Sequence, residues 1–255
     1  DVNKKFNSKY QLPVSEKDVW ILFDSLKEKH GRDIFGQGYL YRIVDKDLIA
    51  NVALLTDNEK ESGIDNDKPY FVPYDKGDKD GNRWYLDNPY VITWNKTNVK
   101  FLKNNSGKKE IGSPVVRNPQ FYFREGFCYS DVNSTYLKAR LKPESVYDVT
   151  SMSFFSKTNK VPNYYIISLI NSELVAWLVD AFLNNTSHFQ INDCRFLPIP
   201  VPTQEQLDEC KLFFDQAVEV QMQYFKGNIS NTEKEEKLKN IQKVVDEFAL
   251  KVYKV

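Results

Sequence analysis

Asn118–Asp148, NPQFYFREGFCYSDVNSTYLKARLKPESVYD, is the stretch on which the reading of the chain turns. It interleaves aromatic residues (Phe121, Tyr122, Phe123, Phe127, Tyr129, Tyr136) with basic ones (Arg124, Lys138, Arg140, Lys142). Short hydrogen-bonding side chains (Ser130, Asn133, Ser134, Thr135) fill the gaps between them. Aromatic clusters of this kind favour a pleated, half-buried surface. Two readings stay open here. One is a sheet whose polar face simply meets solvent. The other is a surface on which cations hold phosphates and short polar groups read base edges.

The surrounding charge bears on the choice. The 255 residues carry 35 basic and 35 acidic side chains, so overall charge recommends neither nucleic acid nor membrane. Residues 95–160, which contain the stretch, hold twelve basic against five acidic side chains, a net of +7. Residues 1–94, 161–202 and 203–255 are each net negative. A basic middle in a neutral chain is the local footprint of a polyanion binder, although a solvated face has the same composition.

At 41% hydrophobic the chain can bury a sizeable core, and at 14% aromatic it leans toward sheet. Cys128, Cys194 and Cys210 form no CxxC pair, and His30 and His188 are isolated, which argues against a zinc site. Sparse thiols suit a reducing, cytoplasmic setting. The longest unbroken apolar run, Leu174–Val179, is far short of the ~20 residues that span a bilayer, so no membrane is expected. The chain begins at Asp1 without Met and ends in helical pattern at Val255, and reads as a piece of something longer.

Periodicity divides the chain into three. Residues 1–33 read as a helical lead-in, opened by Ser15 and Asp18 and striped by Val19, Leu22, Phe23 and Leu26. Residues 34–202 read as a mostly β domain of short, turn-punctuated bursts. Strands are expected over 38–45, from Pro69 into a hairpin ending near Tyr85, over Pro89–Trp94, and again at 188–197. Residues 56–68 and 96–109 read as loops, and Tyr164–Asn185 as one buried helix. Residues 203–255 read as a helical hairpin. Thr203 and Gln206 form its capping box, and Leu238, Ile241, Val245, Phe248 and Val252 make a 3-4-3-4 seam that fits internal packing or a partner. The class is thus α+β: a mostly β domain with a buried helix, then a helical hairpin.

Catalytic groupings are not readable. Neither histidine has a nucleophile or carboxylate near it in sequence, and Asp65-Asn66-Asp67-Lys68 reads as an acidic loop. Asp87-Asn88-Pro89-Tyr90 approaches the Asn/Asp-Pro-Pro-Tyr/Phe loop with which amino-methylating DNA methyltransferases hold a target base. Its second residue is Asn instead of Pro, and no Gly-rich cofactor bend accompanies it, so it reads as a decoy.

Five blocks in order carry a family resemblance. Lys68–Trp94 (KPYFVPYDKGDKDGNRWYLDNPYVITW) is similar to a P-Y-x-K-G-G…R-W-Y…V-x-x-W block. Ser113–Val132 (SPVVRNPQFYFREGFCYSDV) is similar to S-x-V-R-N…Y-F-x-E-G-x-x-W/Y-S. Leu137–Phe155 matches A-R…P-x-G-x-x-F-D-V-x-G-x-x-x-F, Ile166–Leu174 an L-L-N-S-K-L helix, and His188–Pro202 an F-Q-x-x-D…L-P-I-P exit. Together they resemble the C-terminal target-recognition region of large bacterial DNA adenine methyltransferases, a group that includes type IIG restriction–modification enzymes and phage-exclusion (BREX) methylases. The resemblance covers about residues 35–202. Family glycines are replaced here by Asp78, Ser145 and Ser151, so those turns are built from other residues.

The resemblance implies a DNA sequence-recognition domain, the C-terminal part of an S-adenosylmethionine-dependent, adenine-specific DNA methyltransferase that serves restriction–modification or phage defence. It implies no catalytic residue and no cofactor in this chain. S-adenosylmethionine, and any endonuclease activity, would belong to an N-terminal half. Double-stranded DNA and that half are the implied partners. Arg117, Arg124, Lys138 and Arg140 are the first candidates for DNA contact, Lys76, Arg83 and Lys157 the next, and Ser130, Asn133 and Ser134 the candidate base-edge or phosphate hydrogen-bonders. The alternative is an assembly module of the same system, working through the 203–255 helices without binding DNA itself.

Overall fold

Phe71–Asp75 (β1) is the strand on which the first of two small sheets is built. In the computed structural model it pairs antiparallel with Val91–Thr93 (β2), Val72 opposite Ile92, and parallel with Val146–Tyr147 (β5), Asp75 opposite Tyr147. The second sheet has Gly126–Ser130 (β3) at its centre. Arg140–Lys142 (β4) and Ser151–Phe154 (β6) flank it, both antiparallel. The structure describes residues 44–78, 81–88, 90–108, 114–130 (the backbone alone at Ser130), 137–147, 150–184, 186 and 189–255. The lead-in over 1–33, most of the strand expected at 38–45, and Asn133 and Ser134 therefore lie outside the described residues.

The chain divides into two compact units, Asp1–Leu48 and Ile49–Val255. Of the first, the described part is a 3-10 turn at Lys46–Leu48. The second holds both sheets and seven helices: α1 (Asp57–Ser62), α2 (Lys96–Asn105), α3 (Asn163–Ile170), α4 (Glu173–Leu178), α5 (Ile191–Cys194), α6 (Gln204–Phe225) and α7 (Asn231–Tyr253). Among the described residues 48% are helical and 13% strand. The α+β class stands. The mostly β balance expected over 34–202 does not, because many of its extended bursts never meet a ladder partner.

Two expected loops are helices, each opened by a cap. Thr56 accepts from the backbone of Glu59 while Glu59 reaches back to Thr56, closing a capping box on α1. Gly63, at φ 96°, ends that helix where a Cβ would lie 2.6 Å from the backbone nitrogen of Lys96. Asn95 caps α2 through Asn98 N at 2.8 Å, and Val99 with half-buried Leu102 supplies a narrow apolar stripe. The hairpin expected between Pro69 and Tyr85 is also replaced. β1 takes its partners from β2 and β5, and Trp84 clips onto β4 instead, donating to Ala139 O and accepting from Leu141 N. The strand expected at 188–197 is the short helix α5, whose Asp193 accepts from Gln190 N at 2.8 Å.

The helix expected over Tyr164–Asn185 is broken. It bends by 67° between α3 and the segment from Glu173 to Leu183, whose last turn, Val179–Leu183, is π-helical. Asn171 and Ser172 make the break. Ser172 Oγ accepts from Val175 N and so starts α4. The Asn171 carboxamide turns inward: Oδ1 accepts from Ala139 N at 2.8 Å and Nδ2 donates to Ala139 O at 2.9 Å. It thereby supplies the donor and acceptor that a neighbouring strand would otherwise present.

Two cores result. One lies between the first sheet and α1–α2 and contains Ile64, Val72, Trp94, Val99, Tyr122, Phe123 and Val146. The other joins Trp84, Phe127, Tyr129 and Leu137 to α3, α4, α6 and α7. Leu238, Ile241, Val245, Phe248 and Val252 are all buried in this second core, so the 3-4-3-4 seam is occupied by packing within the chain.

Candidate nucleic-acid interface

The alternation of β4 runs opposite to its hydrophobicity. Ala139, Arg140 and Lys142 are buried and Leu141 is only half-buried, so the period of two sends both cations inward. Arg140, 2% exposed, forms an ion pair with Asp75 at 3.0 Å; its Nη1 also donates to Cys128 Sγ at 2.8 Å and its Nη2 to Lys76 O at 2.9 Å. Asp75 accepts further from Ser151 Oγ, from the Cys128 thiol at 3.4 Å and from Asn88 Nδ2 at 3.1 Å. This network ties the end of β1 to all three strands of the other sheet. Burial pushes the Cys128 thiol up to about 12, which makes it an inert hydrogen-bonding group.

Lys142 is fully buried. Its ammonium donates to the carbonyls of Arg124 (3.1 Å), Pro143 (3.2 Å) and Ser145 (3.4 Å) and lies over the rings of Tyr147 and Phe155, 5.0 and 5.3 Å from their centroids. Burial pulls it down from 10.5 to about 8. The folded state therefore gives up this proton more readily than the unfolded chain. Below about pH 8 the buried charge is a constant cost, which is relieved as pH rises from about 8 toward 10.5, on the order of 3 kcal/mol in all. Urea titrations of the parent and of Lys142→Met should show the parent gaining stability relative to the variant across that window. Parallel curves would remove Lys142 as the cause.

The surface beside this interior is where a polar cleft forms. Arg117, Asn118, Gln190 and Asn192, together with Tyr147 and β6, line a cavity of about 230 Å³. Asn118 sits in the left-handed region at φ 49°, a conformation that asparagine tolerates better than most residues, and its carbonyl accepts from the Tyr147 hydroxyl at 3.3 Å. Arg195 donates to Asn192 Oδ1 at 3.1 Å and fixes its amide. Arg117, Asn118, Gln190 and Asn192 are exposed, as are Val115 and Ile191 of the same lining. Guanidinium and carboxamide groups are the side chains that pair bidentately with guanine and adenine in the major groove.

The residues singled out from sequence scatter. Arg117 is exposed and enters the cleft. Arg124 is exposed and stacks over Phe121, 5.4 Å from its centroid, while Phe121 stacks in turn on Phe155. Lys157 is exposed in the turn after β6. Lys138 is half-buried, with its alkyl chain against Gly81. Lys76 lies over the Tyr90 ring. Arg83 is half-buried and tied to the last two helices: its guanidinium donates to Gln242 of α7, and its carbonyl accepts from Gln221 of α6. Arg140 is corrected outright, because an enclosed guanidinium cannot meet a phosphate. Ser130 contributes backbone opposite Ser151.

Asn118, Gln190 and Asn192 were missed. The first lay in view among more conspicuous aromatics. The other two come from a segment more than 70 residues away, and no spacing in the sequence announces that α5 closes on the Arg117 loop. Asn88 of the decoy motif is accounted for structurally: its Nδ2 donates to Tyr74 O at 3.0 Å and to Asp75, and its Oδ1 accepts from Tyr90 N. No protein-family model matches the chain, and no curated protein is significantly similar to it.

Proposed function

We propose that this chain is a DNA sequence-recognition module that performs no chemistry itself and directs an adenine-specific, S-adenosylmethionine-dependent methyltransferase half of the restriction–modification type. In this reading residues 34–202 hold the DNA and the 203–255 helical hairpin braces them. The observation that carries it is the convergence of Arg117 and Asn118, from the basic middle of the chain, with Gln190 and Asn192 on one concave surface. Arg124 and Lys157, both exposed, are assigned the phosphate contacts, which position a duplex without reading it. The assembly alternative loses its main support, because the apolar seam is spent inside the chain.

The test is duplex binding across salt, first with a randomised pool and then with the sequences it enriches. Affinity should fall steeply with added salt, log K against log[salt] losing about 0.9 in slope for each phosphate contact removed. Arg124→Ala should weaken all duplexes alike and flatten that slope by about 1. Arg117→Ala should cost about 1–3 kcal/mol on the enriched sequence and little on others, the signature of base readout. No binding to any duplex at low salt would refute the proposal.

A further inference from the structure

The loop running from Val115 to Arg124 has a second cleft on its other side, and we infer that this cleft receives a single unpaired nucleobase with its adjoining phosphate. The inference deepens the DNA-recognition reading and rests on it for the source of the base. The cavity measures about 580 Å³, within the range of small-molecule sites, and is lined by α1, α2, Trp94 and the 116–124 loop.

Its floor is aromatic. Trp94 meets Tyr122 and Phe123 edge-on, at 5.9 and 5.4 Å between centroids with 74° between planes. The Trp94 indole N–H donates to the carbonyls of Glu59 and Lys60, so that ring cannot turn. Phe123 reaches its place only by adopting φ 58°, a left-handed conformation unusual for a bulky residue. Such outliers persist where the surroundings over-determine them, and they gather at ligand sites.

The rim supplies the remaining chemistry. Lys60, Lys103 and Arg124 are three cations suited to a phosphate, and Asp57 and Glu61 are acceptors suited to exocyclic amino groups. With cations in excess, a lone cationic guest such as a methylated lysine is disfavoured, whereas a planar ring carrying amino groups and a phosphate finds a partner for each part. Bases inside an intact duplex cannot offer themselves in this way; an unpaired one can.

The experiment uses the whole chain and fluorescence anisotropy with three probes: a paired duplex, the same duplex bearing one unpaired adenine, and adenosine monophosphate as competitor. Leu102→Trp fills the cleft from α2, and Lys103→Ser removes an exposed rim cation with little risk to the fold. The unpaired-base duplex should bind about tenfold more tightly than the paired one, and both variants should lose that preference. Leu102→Trp should hold paired-duplex affinity unchanged. Competition by the free nucleotide supports the site with a soluble nucleotide as its source, and competition only by the unpaired-base duplex supports it with DNA as the source. Equal affinity for the two duplexes in the parent, without nucleotide binding, overturns the inference. So does a preference that survives both variants, or displacement of the probe by a trimethyl-lysine peptide. If the unpaired-base duplex or the nucleotide binds while no paired duplex does, the polar-cleft reading fails and this site stands.

Discussion

Arg140→Met should remove about 3–5 kcal/mol of stability, a large share of the roughly 5–15 kcal/mol available to an ordinary domain. Both partners of its ion pair are shut away from water, Asp75 at 2% exposed and Arg140 at 2%. Deleting the guanidinium leaves the Asp75 carboxyl group to Ser151, Cys128 and Asn88, which donate hydrogen bonds but carry no compensating charge. It also strips the Lys76 carbonyl of its donor. Asp75→Asn should be costly for the complementary reason, a buried cation without a counter-charge. The double variant should lose markedly less than the two singles combined, since the pair's worth is set against the cost of desolvating both ions. Urea unfolding of the four proteins gives the coupling energy. Single losses below about 1 kcal/mol, the value of an exposed pair, would contradict the burial described for this network.

The second large effect should come from Asn171→Ala, at about 1–3 kcal/mol, the cost of an unsatisfied buried donor or acceptor. The carboxamide accepts from Ala139 N and donates to Ala139 O. Trp84 N also donates to Ala139 O, so the amide N–H of Ala139 is the group left most exposed by the change. Asn171→Asp separates the contributions. It retains an acceptor for Ala139 N but sets a carboxylate oxygen against Ala139 O, and should rescue little. Hydrogen exchange at the Ala139 amide should quicken in both variants by more than global destabilisation alone accounts for. If Asn171→Asp matched the parent, the donor half of the interaction would be dispensable.

Both predictions turn on residues whose roles the sequence conceals. A period of two separates the faces of a strand such as β4 but does not say which is inside, and ordinary expectation puts arginine and lysine outside. That assignment fails because Asp75, 65 residues earlier, and three backbone carbonyls wait on the inner face. The long apolar run from Tyr164 did announce a buried helix. Asn171-Ser172, two polar residues amid it, marked a break that the apolar count outweighed. Capping residues were better guides than hydrophobicity at α6, where Thr203 and Gln206 fix the start. The same signal stood at Thr56-Glu59 and Asn95, where polar composition masked it. At the polar cleft, the exposure of Arg117 was legible, since an arginine is ordinarily outside. Its companions were not, since proximity across 70 residues is a property of the fold alone.

The second core has a consequence for the order of folding. Trp84 packs edge-on against Phe214, the Arg83 carbonyl accepts from Gln221, and the Arg83 guanidinium donates to Gln242, contacts that span 138 and 159 residues for the two hydrogen bonds. Loops that long must close before such contacts return any free energy, so this half of the molecule folds late and slowly by topology. During synthesis the Trp84 ring stays without its Phe214 partner until α6 emerges. The helices that read as a separate hairpin are thus the step that completes this core.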